Sequence, residues 1–167
     1  WPNGWGATGT AMADARKSYR LLDNQSVASH PRRHAWVSAS AGTGKTQVLT
    51  ARVLRLLLNG ADPAGILCIT FTKAGAAEMA ERLNGVLARW VRCPDKELRL
   101  HLFNLDEPND DAAIAHARTL FAKVLEAPGG LRIETIHGFA QSLLAAFPME
   151  SGVAPGFTGL DGRSAEV

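Results

Sequence analysis

The residues best suited to chemistry are the eight of Ala39-Ser40-Ala41-Gly42-Thr43-Gly44-Lys45-Thr46. A triphosphate is bound by several backbone N–H groups that point inward, and small residues and glycines let the chain curl closely around oxygen. A helix that starts at such a loop adds its own unsatisfied N–H groups and the positive end of its dipole. Lys45 would then set a point charge on the β- and γ-phosphates, and the Thr46 hydroxyl would ligate Mg²⁺. Those two carry the catalytic expectation, and Ala39 through Thr46 the cofactor-binding one. The general pattern asks for glycine where this chain has Ala39. By itself, a Gly-Lys-Thr turn could merely cap a helix.

The flanks supply the elements to hold that loop. His34 to Ala39, with Trp36 and Val37, is expected as a short strand. Thr46 to Leu58 has helical spacing, with Leu49, Val53, Leu56 and Leu57 on one face, and Asn59-Gly60 as a stop. Ile66 to Thr72 is suited to a buried parallel strand. Lys73 to Arg92 is expected as a helix through Ala76, Ala80, Leu83, Leu87 and Trp90, with Glu78 and Arg82 paired on its outer side. Between Cys93 and Asp111 the chain turns acidic and loses a clear pattern. Asp111 to Glu126 is expected as a helix with Ile114, Ala117, Leu120, Phe121 and Val124 inward, ended by Pro128-Gly129-Gly130. Leu131 to Ile136 follows as a third strand and Gly138 to Phe147 as a helix stopped by Pro148. Alternating strands and helices imply an α/β fold with a parallel sheet.

Bulk properties narrow the classes. The chain has 167 residues, 46% hydrophobic and 20% charged, which describes one globular domain. No apolar run comes near the ~20 residues of a membrane span; Val53 to Leu58 is interrupted by Arg55. No secretory signal is visible, so the expected location is cytoplasmic, with no membrane partner. Cys68 and Cys93 form neither a metal-ligand spacing nor a C-x-x-C pair, and are expected as reduced thiols. Residues 1–59 carry +6 of a chain whose net charge is +2, a basic half that could face phosphates or simply be solvated. Residues 1–20 are expected as a flexible tail, with a natural start at Met12 as one reading.

With the loop placed, its flanks resemble a family. The form Ala-x-Ala-Gly-x-Gly-Lys-Thr is similar to that of UvrD-like superfamily 1 DNA helicases. Gln25, twenty residues before Lys45 within Asn24-Gln25-Ser26-Val27-Ala28, resembles the family's Q motif, whose glutamine reads the adenine edge of ATP. A glutamine amide, with donor and acceptor, suits that edge. Thr70-Phe71-Thr72-Lys73-Ala74-Gly75 is similar to motif Ia, and Thr135-Ile136-His137-Gly138-Phe139 to motif Ib. The resemblance implies that Phe71, Thr72, Thr135 and His137 border single-stranded DNA; aromatic faces stack on bases, and hydroxyls and imidazoles reach phosphates. Taken singly, Phe71 could be a core aromatic and His137 a helix cap. Within the family, His34-Ala35-Trp36-Val37-Ser38, Pro128-Gly129-Gly130-Leu131 and Phe147-Pro148-Met149-Glu150 are worded most like the AddA-like helicase–nucleases of double-strand-break repair.

The resemblance implies a RecA-like domain that binds ATP and Mg²⁺ over 21–150, with a truncated segment at 151–167. It implies as partner a second helicase–nuclease subunit. It also implies an acidic motif, a second motor domain and an arginine finger further along the chain. Asp106-Glu107 is the one acidic pair after apolar residues. Leu98, Leu102 and Leu105 space like a helix face, Pro108 follows, and the pair precedes motif Ib, so a solvated loop is expected there. Two other readings of the loop stand beside the helicase: a small nucleotide or metabolite kinase, and a nucleotide-binding module that does not hydrolyse.

Overall fold

The computed structural model describes residues 20–38, 40 and 42–152. The expected tail, apart from Arg20, and most of the expected C-terminal segment lie outside these residues. The helices are α1 (Asp23–Ser29), α2 (Lys45–Leu58), α3 (Lys73–Arg92), α4 (Asp95–Asn104), α5 (Asp111–Glu126), α6 (Ile136–Ala146) and the single turn α7 (Pro148–Ser151). Two strands, β1 (Leu67–Thr70) and β2 (Arg132–Thr135), pair in parallel, Leu67 opposite Arg132 and Thr70 opposite Thr135. Parallel pairing requires a crossover, and α3, α4 and α5 provide it. The described chain is thus mostly helical around a small parallel sheet.

The core is a helical layer. Val53, Leu54 and Leu57 of α2 meet Met79, Leu83, Leu87 and Trp90 of α3, Leu98 and Leu102 of α4, and Ile114, Ala117, Leu120 and Val124 of α5. Burying each of the larger side chains stabilises the fold by roughly 1.5–3 kcal/mol. Helices α3 and α5 have the expected bounds because each starts on a side-chain cap. Thr72 Oγ1 accepts from the Gly75 N–H at 3.0 Å, and Asp110 Oδ1 from that of Ala113 at 2.8 Å. At the other end of α5, Gly129 and Gly130 hold φ of 77° and 63°, a left-handed turn that glycine permits.

Several expectations need correction. Residues 34–38 form no strand: Trp36 is 95% exposed, and no described strand offers them a ladder. β propensity favours a strand only where a neighbour supplies pairing and packing. The buried face of α2 is Val48, Ala51, Val53, Leu54 and Leu57, whereas Leu49 is exposed. β1 is not buried on both faces, since Leu67 and Ile69 are exposed while Cys68 packs on the core. The stretch expected to lack a pattern contains α4, whose Asp95, Lys96, Glu97 and Arg99 obscure the period of Leu98, His101 and Leu102. Chain Leu131 to Ile136 narrows to β2, and α6 begins earlier than expected, at Ile136.

Candidate nucleotide site and nucleic-acid edge

The loop before α2 is shaped by its glycines. Gly42 and Gly44 hold φ of 78° and 85°, values that strain any L-residue. Gly44 is also the N-cap of α2 and contributes no side-chain cap. The Thr43 hydroxyl and the Lys45 ammonium both donate to the Ser40 carbonyl, at 2.7 and 2.5 Å, closing the curl. Thr46 follows in the first helical turn, half-buried. Ala39 and Ala41 lie outside the described residues.

Gln25 reaches this loop from α1. Its Oε1 accepts from the Leu22 N–H at 3.1 Å, which orders the side chain. The amide nitrogen then lies over the loop: a Cβ built on Gly44 would stand 3.7 Å from Gln25 Nε2 and 3.6 Å from Gln47 Oε1. The side chains of Gln25 and Gln47 therefore flank the N-cap of α2, and any residue larger than glycine would meet both.

What holds α1 there was not singled out by the sequence. Arg52 Nη1 donates to the Ala28 and His30 carbonyls at 3.1 and 3.0 Å, and its Nη2 to the Arg33 carbonyl at 2.7 Å. Arg55 Nη1 donates to Ser26 O and Ser29 Oγ, each at 3.0 Å. Its Nε donates to Glu107 Oε1 at 2.8 Å, and Glu107 Oε2 accepts from Asn59 Nδ2 at 2.9 Å. Before α1, the Leu21 N–H donates to the Asn104 carbonyl at 3.1 Å, and the Arg20 guanidinium stands 5.1 Å from the Phe103 ring centroid. One signal pointed here: Arg55 interrupts an apolar helical run, where a charge must be partnered if buried.

The expectation of a solvated loop at Asp106-Glu107 is therefore corrected. Asp106 takes a left-handed φ of 53°, which turns the chain back and lays the Glu107 carboxylate, 9% exposed, on Arg55. Arg55 lies nine residues along α2 from Thr46, roughly 14 Å along the axis, so Glu107 is committed to the end of α2 remote from the loop. Among the described residues, no group of three or more His, Cys, Asp or Glu could hold a metal ion.

The strand ends form a second region. The pairing of Thr70 with Thr135 brings Phe71, Thr72, Ile136 and His137 to one edge of the sheet. Phe71 is 86% exposed, which removes the core-aromatic reading. His137 is exposed too, and the cap of α6 is Thr135, whose Oγ1 accepts from the Gly138 N–H at 3.1 Å. Both junctions therefore use Thr-x-x-Gly. A Cβ on Gly75 would stand 3.0 Å from Thr72 Oγ1 and 3.1 Å from Thr70 Oγ1, and one on Gly138 3.3 Å from Thr135 Oγ1. Lys73, Thr135 and Ser142 line a cleft of about 400 Å³ beside this edge. Glu134 lines it as well, one oxygen accepting from Arg132 Nε at 3.1 Å and the other buried without a partner among the described residues.

Away from both regions, Trp90 Nε1 donates to His101 Nδ1 at 3.2 Å within the core. Burial, and then the Arg89 charge, hold the His101 pKa below its ordinary value near 6.5, against an opposing pull from Glu97. Burial raises the pKa of the Cys68 thiol, and both cysteines are unbridged. No helix among the described residues is long and apolar enough to cross a membrane.

Comparison with known proteins matches the chain to one family. The model of the UvrD/REP helicase N-terminal domain covers residues 22–166. The AddA subunit of the ATP-dependent helicase/nuclease from Pediococcus pentosaceus is 31% identical over 157 residues, 93% of this chain and 11% of that protein. The proteins of the same name from Lactobacillus gasseri and Clostridium kluyveri are 47% and 40% identical over 75 and 78 residues, 44% of this chain and 6% of each relative. The chain thus spans about a tenth or less of the length of these curated relatives. No solved structure matches it. On the family match over 22–166, the chain belongs to the UvrD/REP helicases, through their N-terminal domain.

Proposed function

We propose that this chain is the ATP-binding part of an ATP-dependent DNA helicase of the AddA-like kind, acting in double-strand-break repair in the cytoplasm beside an AddB-like second subunit. The observation that carries the reading is the meeting of Gln25 with Gly44, from positions twenty residues before Lys45 and one before it. A glutamine amide over the N-cap of a glycine-rich loop sets a base-reading group at a fixed distance from a phosphate cradle.

The roles follow from chemistry. Gly42 and Gly44 let backbone N–H groups face the phosphates, with the first turn of α2 behind them. Lys45 neutralises the β- and γ-phosphates. Thr46 offers one hydroxyl to Mg²⁺, an ion that keeps several waters and is held largely by the substrate's own phosphates. That donor set fits a nucleotide-borne ion, which would neutralise charge on the phosphates. At the strand ends, Phe71 would stack on a base of single-stranded DNA, while Thr72, Thr135 and His137 reach its backbone. The two strands would be part of a RecA-like sheet.

The test is calorimetry of Mg·ATP binding to the chain and to Lys45→Ala. A charge-assisted contact of about 1.5–3 kcal/mol is lost, so affinity should fall at least tenfold. Equal affinity would remove the assignment.

A further inference from the structure

Helix α1 has seven residues, too few to persist alone in water. Its last carbonyls lack the backbone partner that a further turn would supply; Ser26 O accepts from Ser29 Oγ at 3.2 Å and Val27 O from the His30 N–H at 3.3 Å. Two arginines of α2, three positions apart and so on one face, donate to carbonyls at this end: Arg55 to Ser26, Arg52 to Ala28 and to the C-cap His30. Arg52 goes on to Arg33 in the segment that leads to the loop. Arg55 is 4% exposed and Ser29 fully buried, so the Arg55 side of the joint is dry, while Arg52 is half-buried. Glu107 and Asn59 close it from the other side. The same helix that carries Lys45 and Thr46 at its start therefore grips, two turns later, the helix that carries Gln25.

We propose that Arg52 and Arg55, with Glu107 behind them, are positioning residues for base recognition: they fix the height of the Gln25 amide above Gly44 and thereby set the preference for adenine. The inference rests on the reading of Gln25 as the base-contacting residue. It assigns Glu107 a part in nucleotide selectivity without contact with nucleotide or metal. A guanidinium suits the task because its planar fork engages several carbonyls at once.

The experiment measures affinities of the whole chain for Mg·ATP, Mg·GTP and magnesium tripolyphosphate by calorimetry, in Gln25→Ala, Arg52→Ala, Arg52→Lys and Glu107→Gln. Arg52→Ala should lose about 3- to 10-fold on ATP and stay within about twofold on tripolyphosphate, the scale of one or two partly buried polar contacts. Arg52→Lys, which keeps the charge on a single donor nitrogen without the planar fork, should recover part of the ATP preference. The Gln25→Ala/Arg52→Ala double variant should prefer ATP no less than Gln25→Ala alone, because both changes act through one amide. If Arg52→Ala is too unstable to purify, Arg52→Lys and Glu107→Gln carry the test, and each should narrow the ATP-to-GTP ratio. An unchanged ratio in folded variants, or equal losses of ATP and tripolyphosphate, would make the arginines structural only and overturn the proposal. If Gln25→Ala itself leaves the ratio unchanged, the adenine reading falls and takes the proposal with it. If Gln25→Ala abolishes the ratio while Arg52→Ala does not, only the positioning role is lost.

Discussion

The loop end of α2 and the C-terminal edge of the sheet are both built where a helix begins, yet they are held in opposite ways. At the loop, Gln25 is fastened from behind by Arg52 and Arg55, with Glu107 buried against the second. At the sheet edge, the exposed Phe71 and His137 stand next to capping threonines, and α6 has no buried residue. On the proposed function, a site that must discriminate one base benefits from a rigid amide, whereas a site that meets any base needs only presented faces. Removing a bracing residue at the first region should therefore cost stability, whereas removing a presented side chain at the second should leave it almost untouched.

The largest effect should come from Glu107→Ala. It leaves Arg55 buried with an uncompensated charge, and removing one partner of such a pair costs roughly 3–5 kcal/mol. Denaturant unfolding should show the loss, which Glu107→Gln should reduce by keeping an acceptor. A change below about 0.5 kcal/mol, the range of ordinary surface substitutions, would mean that this end of α2 is not braced as described. Lys45→Ala should separate binding from folding in the same region: at least tenfold weaker Mg·ATP binding, with an unfolding midpoint close to that of the parent.

At the sheet edge, Thr72→Ala and Thr135→Ala each remove a cap and should cost about 1 kcal/mol. The two should be similar, since both accept from the glycine three residues on. Acid adds a further contrast. His101 is held neutral in the fold, its pKa depressed by burial and by Arg89. Above about pH 6.5 folded and unfolded chains are both neutral there and the group contributes no pH dependence. As pH falls below that value the unfolded chain takes the proton first, so stability declines until the folded pKa is passed. His101 belongs to α4, whose Asn104 carbonyl docks Leu21 just before α1, so hydrogen exchange should show α1 and α4 loosening in acid before β1 and β2. A pH-independent stability between 7 and 5 in the parent, matched by His101→Gln, would refute this.

How much of this was legible in the sequence follows from what fixes each part. Helices α3 and α5 were readable to the residue because an apolar period and a cap coincide. The tight curl at Gly42 and Gly44 was readable because glycine tolerates a left-handed turn; the phosphate role of Lys45 belongs to the proposed function. The strand expected at 34–39 was not formed among the described residues, since strand propensity cannot supply a paired neighbour. The brace of α1 was hidden for a different reason: its acceptors are backbone carbonyls, which carry no residue signature. Only Arg55, standing inside an apolar run, hinted at it. Glu107 misled for a related reason, because an acidic residue in a polar stretch gives no sign that a buried arginine lies 52 positions earlier.

The smallest expected change in stability, and the one that tests the sheet edge most directly, is Phe71→Ala. With its ring 86% exposed, Phe71 loses almost no packing on truncation, so the unfolding free energy should move by less than about 0.5 kcal/mol. If the ring stacks on a base, that contact is worth about 1–3 kcal/mol, and single-stranded DNA affinity should fall by about 5- to 150-fold. Because stacking carries no charge, the slope of log affinity against log salt should stay the same. Lys73→Ala gives the counterpart: if Lys73 contacts a phosphate, its loss should make that slope shallower by about 1. A folded Phe71→Ala chain that binds single-stranded DNA as the parent does would place the DNA path elsewhere, and the likeness of the two Thr-x-x-Gly junctions would then be a matter of helix capping alone.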